Sequence, residues 1–280
     1  MERLIWILHK YMDPNLSKVL PTIANILSKH HGRNNVYSKT LKGGVTFTCG
    51  VLNQQPHGPC TITIRKKRFD KTINCNFVTG FLHGKCTITS TNVKEIFHTS
   101  SMSEAGRALS CVETQTRTEN TTCFFAGGSL DGRYEIETKE RVRSDYNNTL
   151  SRCSGYKIKE LIEETTNNCV SNYSNGLLNG PHTTIKHVVK SETRFDKNDI
   201  SEVHSCESTT CNYSQGVLSG PYEVRSGDIC ILSCTYHSGK KCGPFIQNNK
   251  DGTPYIKCCY DNDMLQGEYM EFFNGKLLKY

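Results

Sequence analysis

The segment CNYSQGVLSGPY, residues 211–222, contains the pattern on which the rest of the chain is built. Cys211 lies two residues before Tyr213, a Gly-x-Leu-x-Gly segment follows, and Tyr222 comes nine residues after the first tyrosine. Aromatic residues favour strands, and a Gly-rich segment between them favours a tight loop because Gly accepts positive φ at little cost. The segment therefore predicts a β-hairpin.

The same pattern recurs along the chain. Tyr213, Tyr236 and Tyr260 are 23 and 24 residues apart, whereas Phe77, Phe125 and Tyr173 are 48 apart. An earlier copy, read as Phe47, Gly50, Leu52, Gly58 and Cys60, requires a four-residue insertion in its turn. A fixed period of this size predicts a repeat array in which each hairpin packs on its neighbours. The full copies span Cys75–Cys86, Cys123–Tyr134, Tyr173–His182, Cys211–Tyr222, Cys234–Phe245 and Cys258–Tyr269.

Three polar gaps interrupt the array, at residues 90–120, 137–168 and 186–210. The long 48-residue period is twice the short one. The gaps therefore hold either further hairpins whose pattern has decayed or longer excursions between hairpins in register.

The Tyr-x-x-Gly-x-Leu-x-Gly-x-Tyr pattern resembles MORN repeats and their bacterial antitoxin-like variants. The pairs His57-Gly58 and His83-Gly84 and the closing segment GEYMEFFNGKL, residues 267–277, extend this resemblance over residues 44–277. It implies a twisted, meandering antiparallel sheet that is used for protein or membrane contacts. We therefore predict a mainly β protein, an elongated antiparallel meander of MORN-like hairpins over residues 41–280. The many cysteines and long polar gaps depart from the usual MORN pattern.

The first 40 residues are predicted to form a short helical segment. Apolar residues at helical spacing precede and follow a stop and restart at Asp13-Pro14. Three roles are open: a cap on the end of the sheet, an F-box-like helix at VLPTIANIL (19–27), or a membrane-surface anchor around Trp6. The apolar run Leu4–Leu8 is too short for a signal peptide or a membrane span, which predicts an intracellular, cytoplasmic protein rather than a secreted one.

Positive charge is concentrated near the amino terminus. Residues 1–71 hold twelve Lys or Arg and three acidic residues, a net charge of +9 in a chain whose total is +7. The densest cluster, Arg65, Lys66, Lys67 and Arg68, falls at a predicted hairpin tip. It suits anionic lipid, phosphates or an acidic protein face; the alternative is a solvated loop that protects a sheet edge. Nucleic acid is disfavoured because no aromatic residues are interleaved with the basic run.

Fifteen cysteines would suit a secreted disulfide scaffold, but no export signal is predicted. Equivalent cysteines in successive hairpins lie two strands apart, about 9.6 Å, which exceeds the reach of a disulfide. We therefore predict reduced thiols that act as small apolar residues, with a local Cys75–Cys86 bridge left open.

The residues Cys230, Cys234, His237 and Cys242 form the best metal candidate, since four soft ligands could surround zinc. Their spacing matches no standard zinc pattern, and Cys234 occupies the ordinary cysteine position of the repeat. The sequence therefore predicts no metal and no other cofactor.

No catalytic motif is found: the chain has no Gly-rich phosphate loop, no H-E-x-x-H and no nucleophile elbow, and Ser129 is part of a repeat turn. We predict a non-enzymatic scaffold that contacts other proteins within an assembly, such as a virus particle. Alternatives are attachment to an anionic membrane surface, which would make the protein membrane-associated, and neutralisation of a toxin. The candidate contact face carries the aromatic repeat residues, unless these pack inward: Phe77, Phe125, Tyr173, Tyr213, Tyr236 and Tyr260.

Overall fold

The structure is a computed structural model that describes residues 35–41, 43–101, 108–146, 158–194 and 200–279. These residues form 20 β-strands in one sheet, in which strands pair antiparallel with their neighbours along the chain. The prediction of a mainly β antiparallel meander is thereby confirmed. The strands are β1 (Asn35–Leu41), β2 (Val45–Leu52), β3 (Gln55–Lys66), β4 (Phe69–Val78), β5 (Phe81–Leu82), β6 (Gly84–Ser101), β7 (Ala108–Ala126), β8 (Ser129–Leu130), β9 (Gly132–Tyr146), β10 (Ile158–Ser174), β11 (Leu177–Arg194), β12 (Ile200–Ser214), β13 (Val217–Ser226), β14 (Ile229–His237), β15 (Lys240–Lys241), β16 (Gly243–Asn248), β17 (Pro254–Asp261), β18 (Met264–Leu265), β19 (Met270–Phe273) and β20 (Lys276–Lys279).

Each copy of the repeat turns through two residues with positive φ. In the copy that begins at Cys211, these residues are Gln215 (φ 48°) and Gly216 (φ 82°). Two consecutive positive φ values are typical of a type I′ turn, whose twist matches that of the flanking strands. This requirement explains why the second turn position is so often Gly. The equivalent pairs are Asn53–Gln54, Thr79–Gly80, Gly127–Gly128, Asn175–Gly176, Ser238–Gly239 and Asn262–Asp263.

A hydrogen bond joins each repeat turn to the turn before it. The Gly216 N–H donates to the Leu178 carbonyl at 2.7 Å, and the Gly239 N–H donates to the Leu218 carbonyl at 2.8 Å. In both bonds the acceptor is the backbone carbonyl of the repeat leucine, a position that Pro56 and Lys241 occupy in two other copies. This bond fixes the stacking of successive turns and uses a backbone donor that the hairpin leaves unpaired. The other bonds of this series are Gly80 to Pro56, Gly128 to Leu82, Gly176 to Leu130 and Asp263 to Lys241.

The first copy of the repeat contains no insertion, so the predicted four-residue insertion was wrong. Its turn is Asn53–Gln54, and the Pro56 carbonyl takes the position that Leu82 holds in the next copy. Val51, rather than Phe47, therefore occupies the aromatic position. Gly50 misled the alignment: it lies in strand β2, beside a register shift between β2 and β3, and not in the turn.

The described parts of the polar gaps are long strands rather than decayed hairpins. Residues 186–194 extend β11 and residues 200–210 belong to β12, and these two strands pair continuously from Gly180 opposite Tyr213 to Thr193 opposite Ile200. The described parts of the gaps 90–120 and 137–168 likewise lie in β6, β7, β9 and β10, which are 15 to 19 residues long. The second of the two alternatives, longer excursions, is the one observed.

The chain divides into two compact units. The first unit comprises the described residues up to Thr91 together with Glu119–Glu135 and Asn172–Leu177. It contains a continuous core in which apolar side chains alternate along each strand, and Phe47 is fully buried. The second unit comprises the described residues of Asn92–Thr118, Ile136–Ser171 and Leu178–Tyr280.

The predicted helical segment, residues 1–40, is wrong at its carboxyl end. Asn35–Leu41 form β1, which pairs with β2 residue by residue, and the Ser38 and Thr40 hydroxyls hydrogen-bond to Thr48 and Thr46. The rest of that segment, residues 1–34, lies outside the described residues. In the described part of the chain, no helix has the length and hydropathy needed to span a membrane.

Candidate functional site

The cysteine and aromatic positions of successive hairpins lie on one side of the sheet, here called the repeat face. Tyr222 pairs directly with Cys211 on one neighbouring strand and with Cys234 on the other. Phe245 pairs with Cys258 in the same way. Directly paired residues share a face of the sheet, as do residues two apart in one strand. The repeat face of each unit is described separately below.

In the first unit the repeat face is core. Phe77 is 2% exposed and Phe125 is 3% exposed, and both belong to the hydrophobic cluster of this unit. Tyr173 packs against the same cluster, and its ring contacts Tyr134 edge to face at 5.8 Å between centroids. Of the six predicted contact residues, these three therefore stabilise the first unit, and Phe77 and Phe125 are inaccessible.

In the second unit the repeat face is partly open. Tyr213, Tyr236 and Tyr260 are all half-buried. Each ring packs edge to face against an aromatic ring of the preceding strand: His182, Tyr222 and Phe245, at centroid distances of 5.7, 5.7 and 5.6 Å. Such contacts contribute about 0.5–1.5 kcal/mol each beyond the area that they bury. The row thus stabilises the stacking of hairpins while keeping part of each ring accessible.

The polar groups of this row are uncharged at neutral pH. Burial raises the pKa of the Tyr213 hydroxyl, and the neighbouring Cys211 raises it further. Tyr236 and Tyr260 have pKa values raised in the same way, by burial first and then by Cys234 and Cys258. The open part of the repeat face therefore presents aromatic rings and neutral hydroxyl groups.

Lys241 adds a positive charge beside this row. Its Nζ lies 5.2 Å from the centroid of Phe245 and 5.1 Å from that of Tyr260, within the range of a cation–π interaction. The row therefore has an aromatic centre and a cationic side chain next to it. Tyrosine and other aromatic residues are enriched in protein-binding surfaces, so the aromatic part of the row suits such a surface.

A histidine replaces the usual aromatic or cysteine residue at one position of this face. His182 Nδ1 lies 2.7 Å from Ser171 Oγ, and burial lowers the pKa of His182 below its ordinary value. Ser171 is buried, and Cys169 lies 3.7 Å from its hydroxyl. The pair satisfies the hydrogen bonds of two inward-facing polar groups, which identifies it as a structural contact.

The basic cluster occupies the predicted hairpin tip. Arg65 and Lys66 end β3, Lys67 and Arg68 form the turn, and Lys66 pairs with Phe69 at the start of β4. All four side chains are exposed. The prediction of their position is confirmed, and their ligand remains a prediction.

The four residues of the zinc candidate do not converge. Cys230 and Cys234 are four residues apart in the single strand β14, which separates them by about 13 Å at the usual rise per residue. The Cys230 thiol instead donates to the Leu232 carbonyl at 3.7 Å. Cys242 follows β15, beyond the turn after His237. Within the described ranges, no group of three or more His, Cys, Asp or Glu side chains is placed to hold a metal ion.

A cleft of about 700 Å³ lies near the carboxyl end of the second unit, lined by Tyr255, Phe273 and Leu278 among others. One of its two acidic residues, Asp251, accepts hydrogen bonds from the Thr253 hydroxyl at 2.6 Å and the Thr253 N–H at 2.9 Å, which lower the pKa of Asp251. This carboxylate is thus already engaged within its own loop.

Sequence reasoning missed a row of contacting cysteines in the first unit. Cys49 pairs with Cys60, and Cys60 pairs with Cys75 on the next strand. The prediction considered cysteines two strands apart, but the second strand of one hairpin and the first strand of the next are direct neighbours. The signal that could have found the row is that both strands of a hairpin carry cysteine, as at Cys75 and Cys86.

No family model matches the chain, and no curated protein shows significant similarity to it.

Proposed function

We propose that this chain is a non-enzymatic, MORN-like repeat scaffold that binds a partner protein through the repeat face of its second unit. The observation that carries the proposal is the contrast between equivalent positions. In the first unit Phe77 and Phe125 are buried and only Tyr173 is half-buried, whereas in the second unit Tyr213, Tyr236 and Tyr260 are all half-buried.

The choice of side chain agrees with this contrast. The buried positions carry phenylalanine, which has no polar atom to satisfy, and the open positions carry tyrosine, whose hydroxyl requires water or a hydrogen-bond partner. Tyrosine is also enriched among residues that dominate binding energy in interfaces. A regular row of such rings supports a contact that spans several hairpins, which suits a structural component of a larger assembly.

The test replaces Tyr213, Tyr236 and Tyr260 together with serine and compares partner recovery with that of the wild-type protein. A matched control replaces Thr210, Thr235 and Lys257 with alanine, because these exposed residues neighbour the repeat cysteines in sequence and lie on the opposite face. The tagged proteins are purified from the native source, and co-purifying proteins are quantified by mass spectrometry.

The expected result is a stoichiometric partner that the wild type and the control retain and the serine variant loses, with far-UV circular dichroism unchanged. Retention of the same partner by all three proteins would contradict the proposal. So would recovery of the folded wild type without any stoichiometric partner.

A second candidate function is attachment to an anionic membrane through the basic hairpin tip. Four exposed basic side chains at one turn, Arg65 to Arg68, favour it, since each Lys or Arg near such a surface contributes about 1 kcal/mol. Sedimentation with phosphatidylserine vesicles should then weaken with salt and be lost when all four residues become glutamine. Equal sedimentation of the wild type and this variant would exclude the tip as the contact.

A further inference from the structure

Five buried cysteines form a continuous row across the repeat face of the first unit, here called the cysteine ladder. Their exposed fractions lie between 1% and 6%. All are free thiols. Each thiol neighbours the next one along the row, in the order Cys49, Cys60, Cys75, Cys86 and Cys123.

The backbone geometry of the ladder is compatible with disulfides. Cys49 and Cys60 are direct cross-strand partners, and so are Cys60 and Cys75. Direct partners in an antiparallel pair have Cα atoms about 4.5 or 5.5 Å apart, which lies within the range of about 4.4–6.8 Å found across disulfides. Cysteines two steps apart in the ladder are separated by about 9.6 Å and cannot be bridged.

We propose that the cysteine ladder is a site of oxidative modification, in which a peroxide converts neighbouring thiols into cross-strand disulfides. A peroxide is the oxidant that fits this site because it is close to water in size, whereas burial of the ladder excludes a bulky oxidant such as glutathione disulfide. The modification would add side-chain covalent links between paired strands of the first unit.

The reaction balances in two steps. A thiolate attacks one oxygen of hydrogen peroxide, the O–O bond breaks, and a sulfenic acid and one water form after proton transfer. The neighbouring thiol then attacks the sulfenic sulfur, an S–S bond forms and a second water leaves. Two thiols lose two electrons and two protons in total, and one peroxide is reduced to two waters.

The pKa values of the thiols alternate along the ladder, which indicates where oxidation begins. The neighbouring Cys49 and Cys75 thiols lower the pKa of Cys60, and the neighbouring Cys123 and Cys75 thiols lower the pKa of Cys86. The same neighbour contacts, together with burial, raise the pKa of Cys49, Cys75 and Cys123. The thiolate is the reactive form, so Cys60 and Cys86 are the expected nucleophiles.

The odd number of thiols makes the proposal specific. Because only neighbours can be bridged, five thiols in a row accommodate at most two disulfides. The remaining free thiol is then Cys49, Cys75 or Cys123, and every fully oxidised form engages both Cys60 and Cys86.

The experiment treats the folded full-length protein with hydrogen peroxide, blocks free thiols with iodoacetamide and maps disulfides by mass spectrometry without reduction. The variants Cys75→Ser and Cys60→Ser form a matched pair. Cys75→Ser leaves the pairs 49–60 and 86–123 and should still form two ladder disulfides, whereas Cys60→Ser should form only one.

The expected result for the wild type is bridges between ladder neighbours only, with Cys60 and Cys86 never alkylated after full oxidation. Three results would overturn the proposal: bridges that skip a ladder position, such as Cys49 to Cys75; equal numbers of ladder disulfides in the two variants; or ladder thiols that remain reduced while the protein is folded. The same peroxide treatment in urea provides the reference for non-specific pairing.

Discussion

Truncation of the same repeat position in the two units should have unequal effects on stability. Phe77→Ala removes a ring that is 2% exposed, and Tyr260→Ala removes one that is half-buried. A buried aromatic side chain covers about 150–250 Å², which at about 25 cal/mol per Å² corresponds to roughly 4–6 kcal/mol. Measured truncations of buried phenylalanine give about 3–5 kcal/mol. We therefore expect Phe77→Ala to lower the free energy of unfolding by about 4 kcal/mol.

Tyr260→Ala should cost less, about 2–3 kcal/mol. Part of its area is already exposed, and its ring also makes the edge-to-face contact with Phe245 and the cation–π contact with Lys241. The free energies come from urea titrations followed by far-UV circular dichroism, with linear extrapolation to water.

Phe77→Leu provides the control for loss of folding, since it keeps most of the volume and should cost less than about 1.5 kcal/mol. Equal destabilisation by Phe77→Ala and Tyr260→Ala would refute the reasoning, because it would mean that both positions are covered to the same extent.

Three further perturbations test other parts of the structure. Gly50→Ala should cost about 3 kcal/mol in urea titrations because its Cβ would lie 2.1 Å from the His57 carbonyl oxygen. At Gly58 an added Cβ meets no atom within 4 Å, so Gly58→Ala should cost only the roughly 1–2 kcal/mol of its positive φ. A smaller cost at Gly50 than at Gly58 would contradict the close approach of β2 and β3. Burial lowers the pKa of His182 below its ordinary value of 6.5, so its contribution to stability should be lost as the pH falls below about 6.5. His182→Phe should therefore reduce the fall of the melting temperature over this pH range. An unchanged dependence of melting temperature on pH would argue against the burial of His182. The Arg143 side chain is half-exposed, and its Nε lies 2.7 Å from Glu160 Oε1. Arg143→Gln should therefore lower the free energy of unfolding by less than about 1 kcal/mol, and by less still in high salt. A salt-independent decrease of several kcal/mol would show a role beyond this ion pair.

The local structure of the hairpins could be predicted from the sequence because a turn is decided by a few adjacent residues. Positive φ at two turn positions favours Gly and Asn, and the first Gly of most Gly-x-Leu-x-Gly segments occupies the second of these positions. The first copy was misaligned for the same reason: its turn uses Asn53 and Gln54, and Gly50 nearby resembled the missing turn glycine.

The burial of the repeat face could not be predicted from the pattern alone. Each copy places an aromatic ring at the same position, and its exposure depends on packing that is not local in sequence. One signal was nevertheless present: the buried positions carry phenylalanine at residues 77 and 125, and the open ones carry tyrosine. The contacts of the cysteine ladder depended on which strands are neighbours, and the register of β3 with β4 supplied that information.

The most direct test of the proposed binding face is site-specific photo-crosslinking. A benzophenone amino acid is placed at Tyr236 on the repeat face and, in a second protein, at Thr235, which is exposed and lies on the opposite face of the same strand. Both proteins are expressed in the native source, irradiated and analysed by mass spectrometry. Binding through the repeat face predicts a discrete protein adduct from position 236 and none from position 235. Adducts of equal yield from both positions, or an adduct from position 235 alone, would contradict it.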